Sequence, residues 1–254
     1  MTIATLWQRS FAMFSHPRFL AIYSGFLTLV LAVSMLTGFA WPSKKASFEE
    51  LDVQRINLRE PDGTVRLIMS SNARFPGALM FGQEYPHEKR KEDHTAGMIF
   101  FDGEGSESGG LIFGGQKNAD GATHRFGHLS FDKYNQDQVM ALEGLDADGK
   151  HSSTIVFNDQ PDWALSELLA LERAWQRLPK AEREAAEAEF VKAHGHGHRR
   201  ALLGRRDDAS SVLDLRDAQG RTRLIARVSA EGTPTLQVLD EQGQVTEQWP
   251  SVKR

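Results

Sequence analysis

The sequence contains no cysteine. Disulfide bonds, thiolate metal sites and cysteine nucleophiles are therefore excluded. This absence does not fix the compartment, because many proteins outside the cytoplasm have no disulfides. A basic excess is lacking too, since 30 Lys and Arg residues stand against 34 Asp and Glu residues, for a net charge of −4. Surfaces that bind nucleic acid are usually strongly basic, so we expect no nucleic-acid partner.

The familiar motifs of nucleotide and calcium binding are missing as well. The glycine-rich stretch at 103–109 lacks the Gly-Lys-Ser/Thr ending of a P-loop, and no helical pattern follows it. It also lacks the G-x-S-x-G pattern of a nucleophile elbow. The segment Asp146-Ala147-Asp148-Gly149 has no third ligand position and no distal glutamate, so it predicts a turn rather than a calcium loop. We expect no cofactor.

Long hydrophobic runs are scarce, and the one at residues 19–41 organises the chain. It carries no charge, and at about 1.5 Å per residue it is long enough to cross a hydrocarbon layer of about 30 Å. It predicts a transmembrane helix that contacts the lipid bilayer. Residues 1–18 then form a short tail with Arg9 and Arg18 and no acidic residue. The spacing of the tail's apolar residues fits a helix at the membrane surface and a frayed tail equally well.

Two alternatives to a retained anchor with an inside N-terminus remain open. A cleaved signal peptide would use the small residues at 38–40, although the run is longer than the usual hydrophobic region of about 7–15 residues. The reverse orientation also remains, because Lys44 and Lys45 follow the run and the basic residues do not favour one side. A basic tail before a long apolar run is typical of a signal anchor. We therefore predict that the soluble part is extracytoplasmic, and periplasmic in a Gram-negative bacterium.

Residues 42–158 predict a β-rich domain of hairpins. Pro61-Asp62-Gly63 is a strong turn signal, because proline presets φ and glycine accepts a left-handed conformation. The segments 96–102 and 110–114 are apolar on both faces, which indicates strands inside a sheet. The charged stretch 83–95 has no apolar period and predicts an exposed loop. If this domain binds a ligand, that loop is the first place to look.

Residues 159–198 predict a helical insert. Asp159 is a candidate helix cap, Pro161 fits a first turn, and an apolar stripe of leucines follows. Pro179 interrupts the pattern, and an Ala- and Glu-rich segment continues to Gly195. The pattern favours a helical hairpin or one kinked helix of about 30 residues.

Residues 199–254 predict a β-meander with regularly spaced glycine turns, packed on the first β region. Segments 61–68 and 218–225 share a turn, an arginine and a Leu-Ile pair. They are either a weak internal repeat or two ordinary hairpins. The predicted fold is mainly β with a helical insert: a single N-terminal transmembrane helix, then an antiparallel β-rich domain interrupted by a helical hairpin.

The most conspicuous chemical motif is a run of alternating histidines and glycines. His194, His196 and His198 can converge on Zn²⁺ or Cu²⁺, because glycine lets the backbone fold around an ion. The arginines at 199 and 200 repel a cation, so these histidines are weak candidates, and the prediction is that no metal is bound. His124 and His128 lie four apart on a predicted strand, roughly 13 Å from each other, too far for one ion.

Two functional hypotheses follow. The first is a non-catalytic binding or scaffold module, presented from the membrane and contacting an envelope protein or a polymer. The alternative is a metal-assisted hydrolase that uses the histidine cluster at 194–198 or the histidines at 87, 94, 124 and 128. The sequence favours the binding module, because no nucleophile, base and orienting group occur at a recognisable spacing.

Overall fold

The computed structural model describes residues 17–38 and 45–251. They form two units, one ending at Asp52 and the other beginning at Val53. The first unit contains helix α1, Pro17–Gly38, of 22 residues. Its segment Pro17–Met35 has a mean hydropathy of 1.7, and none of it is buried. By length and composition α1 can therefore cross a membrane. The predicted apolar helix is present, while residues 39–41 of the predicted span and residues 1–16 of the tail lie outside the described residues.

The second unit is built mainly of strands. Its helices are α2 (Glu88–Glu92), α3 (Leu165–Trp175) and α4 (Lys180–His194), with a 3₁₀ turn at Asn72–Arg74. Its strands are β1 (Arg55–Arg59), β2 (Val65–Ser70), β3 (Ala78–Met80), β4 (Gln83–Tyr85), β5 (Ala96–Phe101), β6 (Glu107–Lys117), β7 (Thr123–Asp132), β8 (Gln138–Ala147), β9 (Lys150–Asp159), β10 (His198–Arg205), β11 (Ser211–Arg216), β12 (Thr222–Val228), β13 (Pro234–Leu239) and β14 (Val245–Trp249).

Twelve of these strands form one antiparallel sheet in the order β1-β2-β5-β6-β7-β8-β9-β10-β11-β12-β13-β14, and β3 pairs with β4 in a separate small sheet. Each strand of the large sheet therefore pairs with the next one that joins it along the chain. The pairing of β10 with β9 spans the helical hairpin, so the C-terminal strands extend the same sheet. The prediction of a mainly antiparallel β fold with a helical insert is confirmed.

One turn geometry recurs in eight of the connections and sets the register of the sheet. In each, the amide of the first residue donates to the carbonyl four residues later, and the amide three residues later donates back to the first carbonyl. The first residues are Glu60, Asp102, Asn118, Lys133, Arg206, Asp217, Ser229 and Asp240. Gly63 and Gly220 close two of these turns at φ values of 94° and 73°, which favour glycine. The β8–β9 connection instead places Asp148 and Gly149 at positive φ, as a tight primed turn requires.

The resemblance between segments 61–68 and 218–225 has a structural basis. Arg66 lies six residues after Glu60 and reaches its carboxylate at 2.9 Å. Arg223 lies six residues after Asp217 and approaches its carboxylate at 3.7 Å. The two hairpins therefore share a turn geometry and an arginine that returns to the first turn residue.

The helical hairpin is attached to the β7–β8 turn. The amide of Leu165 donates to the carbonyl of Asn135 at 2.9 Å, and the indole of Trp163 packs edge-on against Phe190 at 5.1 Å between ring centroids. The expectation that Asp159 caps the first helix is wrong. Asp159 ends β9 and pairs with Arg200, while the residue before α3 is Ala164, which makes no side-chain cap.

The expected exposed loop at 83–95 is also more ordered than its composition indicates. It contains β4 and the short helix α2. Arg90 of α2 is mostly buried, donating to the carbonyl of Gly77 at 2.8 Å and to a carboxylate oxygen of Glu107 at 2.5 Å. Its guanidinium lies 5.9 Å from the centre of the Phe75 ring. The segment folds because one cation of the charged run finds a buried partner, which local periodicity does not reveal.

Two hydrophobic clusters lie on one face of the large sheet. The first contains Ile68 and Ile99 of the sheet together with Phe75, which follows the 3₁₀ turn, and Leu79 of the small sheet. The second contains Ala141, Val156, Leu202 and Val212. We call this side of the sheet the covered face.

The covered face also holds a buried carboxylate. Asp214 is 2% exposed and accepts hydrogen bonds from Arg206 at 3.1 Å, from Arg216 at 2.8 Å and from the Thr222 hydroxyl at 3.3 Å. A buried charge that is paired in this way is tolerated, whereas an uncompensated one is costly.

We predict that Asp214→Ala lowers the free energy of unfolding by about 1–3 kcal/mol, because Arg206, Arg216 and Thr222 lose a hydrogen-bonded partner while the two arginines stay partly exposed to water. Urea unfolding of the full chain in detergent measures this change. Asp146→Ala, at an exposed position of β8, is the matched control and should change stability by less than about 0.5 kcal/mol. Equal effects of the two substitutions would contradict a structural role for the Asp214 carboxylate.

Candidate functional site

The face opposite the covered face is lined by two rows of apolar side chains that cross all twelve strands. In a pleated sheet, directly paired residues point the same way, and so do residues two apart on one strand. The strand registers then generate the two rows. We call them together the apolar face.

Row one takes one residue from each strand. Its members are Leu58, Leu67, Phe100, Gly109, Phe131, Met140, Phe157, Ala201, Leu215, Leu224, Val238 and Glu247. Gly109 and Phe131 are not themselves a registered pair; each lies two residues beyond the paired Leu111 and Leu129, and therefore on the same face. Gly109 and Glu247 are the two members without an apolar side chain. At Gly109 a side chain is excluded, because φ is 142° and a Cβ would collide with the carbonyl oxygen of Ser130.

Row two is apolar at every position. Its members are Ile56, Met69, Met98, Leu111, Leu129, Leu142, Ile155, Leu203, Leu213, Ala226, Leu236 and Trp249. Apart from Gly109, which is buried and has no side chain, every member of the two rows is half-exposed or exposed.

Exposure separates the two faces of the sheet sharply. On the apolar face, Leu203 is 51% exposed, Phe131 50% and Trp249 65%. On the covered face, Leu202 beside Leu203 is 6% exposed and Ile99 is 1% exposed. Scattered exposed leucines are normal in soluble proteins, but a continuous apolar surface of this extent marks an interaction site.

Shallow depressions run along the apolar face. One of about 630 Å³ is lined mainly by residues of β6 to β10, among them Phe113, Gly127, Gly144 and Leu203. Another of about 630 Å³ lies between Leu203 and Trp249. Gly127 and Gly144 are directly paired, and a Cβ built on Gly144 meets no atom within 4 Å. The first depression therefore lies where neighbouring strands lack side chains.

A second candidate is a pair of buried carboxyl groups at one end of β6 and β7. Glu107 binds Arg90 through Oε1, whereas its Oε2 and the Oδ1 of Asp132 are buried and make no hydrogen bond with the described residues. Burial raises the pKa of Asp132 to about 7, the carboxylates of Glu107 and Asp137 add to this rise, and Arg90 opposes it. Asp132 therefore exchanges a proton near neutral pH. A raised pKa is typical of catalytic acids and also of structural carboxyl pairs.

The structure separates the three candidate metal-binding histidines. His194 stacks on Phe190 at 4.3 Å between ring centroids, and its Nδ1 lies 2.9 Å from the Phe190 carbonyl oxygen. His196 and His198 lie together at 4.7 Å between ring centroids. Within residues 17–38 and 45–251, no group of three His, Asp or Glu side chains is arranged to hold a metal ion.

The strand histidines lie on the covered side of the sheet. His128 is mostly buried, with Nδ1 3.9 Å from Glu143 Oε1. Burial lowers the pKa of His128, and the Glu143 carboxylate partly offsets the change. His124 packs against Phe126 at 5.9 Å. Neither histidine is placed with a nucleophile in the described part of the chain.

No protein-family model matches the chain, and no curated protein matches it significantly.

Apolar residues alternate along several single strands of the sequence, but the alternation within one strand does not reveal that these residues line up across the whole sheet. Leu67 and Met69 alternate on one side of β2, and similar alternation occurs in β7 and β10. Val65 of the same strand packs instead against the first cluster of the covered face, because the register shifts next to it. Finding the rows requires the register of every strand. The Glu107–Asp132 pair has no local signal, because its members are brought together by the β6–β7 hairpin.

We predict that Asp132→Asn stabilises the protein at pH 8. The carboxyl pKa is 3.8 before and about 7 after folding, so folding takes up a proton and stability falls as pH rises from about 4 to about 7. The asparagine variant lacks this penalty and should gain on the order of 2 kcal/mol at pH 8 and little at pH 4. Urea unfolding of the full chain at both pH values tests this. A gain that is the same at pH 4 and pH 8 would show that the carboxyl does not titrate as described.

Proposed function

We propose that this protein is a membrane-anchored, non-catalytic scaffold module of the cell envelope, and that the apolar face is the surface on which another protein packs. The observation that carries the proposal is the pair of apolar rows left exposed along the whole sheet. An interaction module needs an accessible surface of this kind, whereas a soluble monomer is penalised by it.

The chemistry of the apolar face favours a protein partner over a polysaccharide or another polar polymer. In its two rows, Glu247 on the edge strand β14 is the charged member and the indole N–H of Trp249, on the same strand, is the hydrogen-bond donor. The remaining side chains are aliphatic, phenyl or thioether groups without a strong donor or acceptor. A polymer rich in hydroxyl or phosphate groups would lose water without gaining hydrogen bonds. An apolar protein surface loses no such bonds when it packs there.

The site chemistry supports a binding role rather than hydrolysis. His194 stacks on Phe190, whereas His196 and His198 contact each other. The buried carboxyls at Glu107 and Asp132 adjoin Arg90, and no serine, threonine or histidine hydrogen-bonds to either carboxyl in the described residues. This arrangement fits an internal ion pair that joins α2 to the sheet.

The proposal that the protein is anchored in a membrane is based on helix α1. The proposal that the sheet lies on the extracytoplasmic side is based on the signal-anchor pattern of the sequence. Held in this way, the sheet meets partners that diffuse in or beside the same membrane, which raises their effective concentration.

We predict that the full chain stays in the membrane pellet after alkaline carbonate extraction and that a phosphatase fused to its C-terminus is active. A chain lacking residues 1–41 is the control and should move to the soluble fraction. Recovery of the full chain in the salt-washed soluble fraction would contradict the anchor. A reporter that works only in the cytoplasm would contradict the orientation.

We predict that a photoreactive benzoylphenylalanine at Leu203 crosslinks the membrane-bound chain to a protein at discrete mass. The same probe at Lys150, an exposed residue at the start of β9, should give at least tenfold less adduct. Adding Leu142→Glu, which introduces a charge into row two, should remove the Leu203 adduct. An unchanged adduct with Leu142→Glu, or lipid adducts alone, would contradict protein binding by the apolar face.

A further inference from the structure

We propose that the occupant of the apolar face is the apolar face of a second copy of this chain, so that the protein is a face-to-face homodimer. This inference rests on the proposed function and names its partner. In a two-fold dimer the same patch serves both subunits, so each row meets a row of identical chemistry.

The size of the apolar face matches what a stable dimer requires. Twelve strands at about 4.8 Å spacing span about 53 Å, and two rows of side chains cover a width of about 13 Å. Contact along both rows therefore buries about 700 Å² on each copy, or about 1,400 Å² in total. Specific protein interfaces bury about 1,200–2,000 Å².

The shape of the apolar face points to the same partner. Adjacent strands in a sheet rotate by about 20° relative to each other, so a sheet of twelve strands has a long, progressively twisted face. Two sheets pack face to face over their length when their twists match, at about 10 Å separation and about 30° between strand directions. A second copy has the same strand number and the same twist.

The charge distribution allows this pairing. Row two contains no charged residue on any of its twelve strands, and the charge in row one is Glu247 on the edge strand β14. In a centred two-fold arrangement, the central residues Leu142 of β8 and Ile155 of β9 lie nearest the axis. The charge then remains at the periphery, where water reaches it. No like charges are forced together at the centre of the interface.

The sheet edges are protected against association, whereas the apolar face is not. Edge strand β1 carries Arg55 and Arg59, and edge strand β14 carries Glu247 and is followed by Pro250. Charged residues and proline on edge strands prevent further strand addition. These edge residues do not oppose association through the apolar face.

The absence of cysteine in the natural chain makes a direct test available. Leu142→Cys in the full chain, kept in native membranes and treated with a short bismaleimide, should give a species of about 57 kDa, twice the 28.4 kDa of one chain. Lys150→Cys is the matched control outside the apolar face and should give at least tenfold less of that species. Mixing differently tagged copies before crosslinking should place both tags in it.

A second variant distinguishes the apolar face from association through α1. Leu203→Glu, at a side chain that is 51% exposed, should leave the circular dichroism spectrum unchanged and reduce the Leu142→Cys dimer at least tenfold. A dimer that survives Leu203→Glu would overturn the inference, and so would crosslinked trimers or larger species. If Leu203 crosslinks to a different protein and no 57 kDa species forms, the inference fails while the proposed function stands. If neither test gives a protein adduct, both fail.

Discussion

A single-layer sheet has two faces, and the described part of the second unit covers one of them. Phe75 and the small sheet pack on Ile68 and Ile99, while no described segment of that unit covers the two rows on the other side. At about 25 cal/mol per Å², burying about 700 Å² of apolar surface contributes roughly 17 kcal/mol of hydrophobic free energy per copy. The loss of translational, rotational and side-chain entropy on association opposes this contribution. This exposed surface is the constraint from which the proposed roles of the protein follow.

The rows exist because the turns keep the strands in phase. A shift of one residue in any hairpin would move that strand's apolar side chains to the other face. The eight connections with the same hydrogen bonds prevent such a shift, and Gly63 and Gly220 supply the backbone conformation that closes two of them. Local turn chemistry therefore determines a surface that extends across the whole sheet. The paired arginines at 66 and 223 reinforce the same geometry.

Much of the architecture follows from the sequence because it is encoded locally. Turn signals identify the hairpins, and the interruption at Pro179 separates α3 from α4. The expectation that Asp159 caps a helix is wrong because the residue types that cap helices also end strands, and here the Asp159 carboxylate pairs with Arg200. The order of 83–95 depends on Arg90 and Glu107, which are distant in sequence. The sequence also does not predict which face of the sheet is covered, because this depends on the side to which the connecting segments cross.

The distribution of charge and apolar surface explains why association through the face is compatible with solubility. An extended sheet with bare edges would grow into fibres, because each added strand presents a new edge. Here the edges carry Arg55, Arg59 and Glu247, so pairing by strand addition is opposed. A face-to-face contact is closed, since the surface used by one copy is fully consumed by its partner. For the proposed homodimer, an anchor at α1 would favour this contact further by concentrating the copies in one plane. Noncovalent burial would have to hold the copies together, because the chain contains no cysteine.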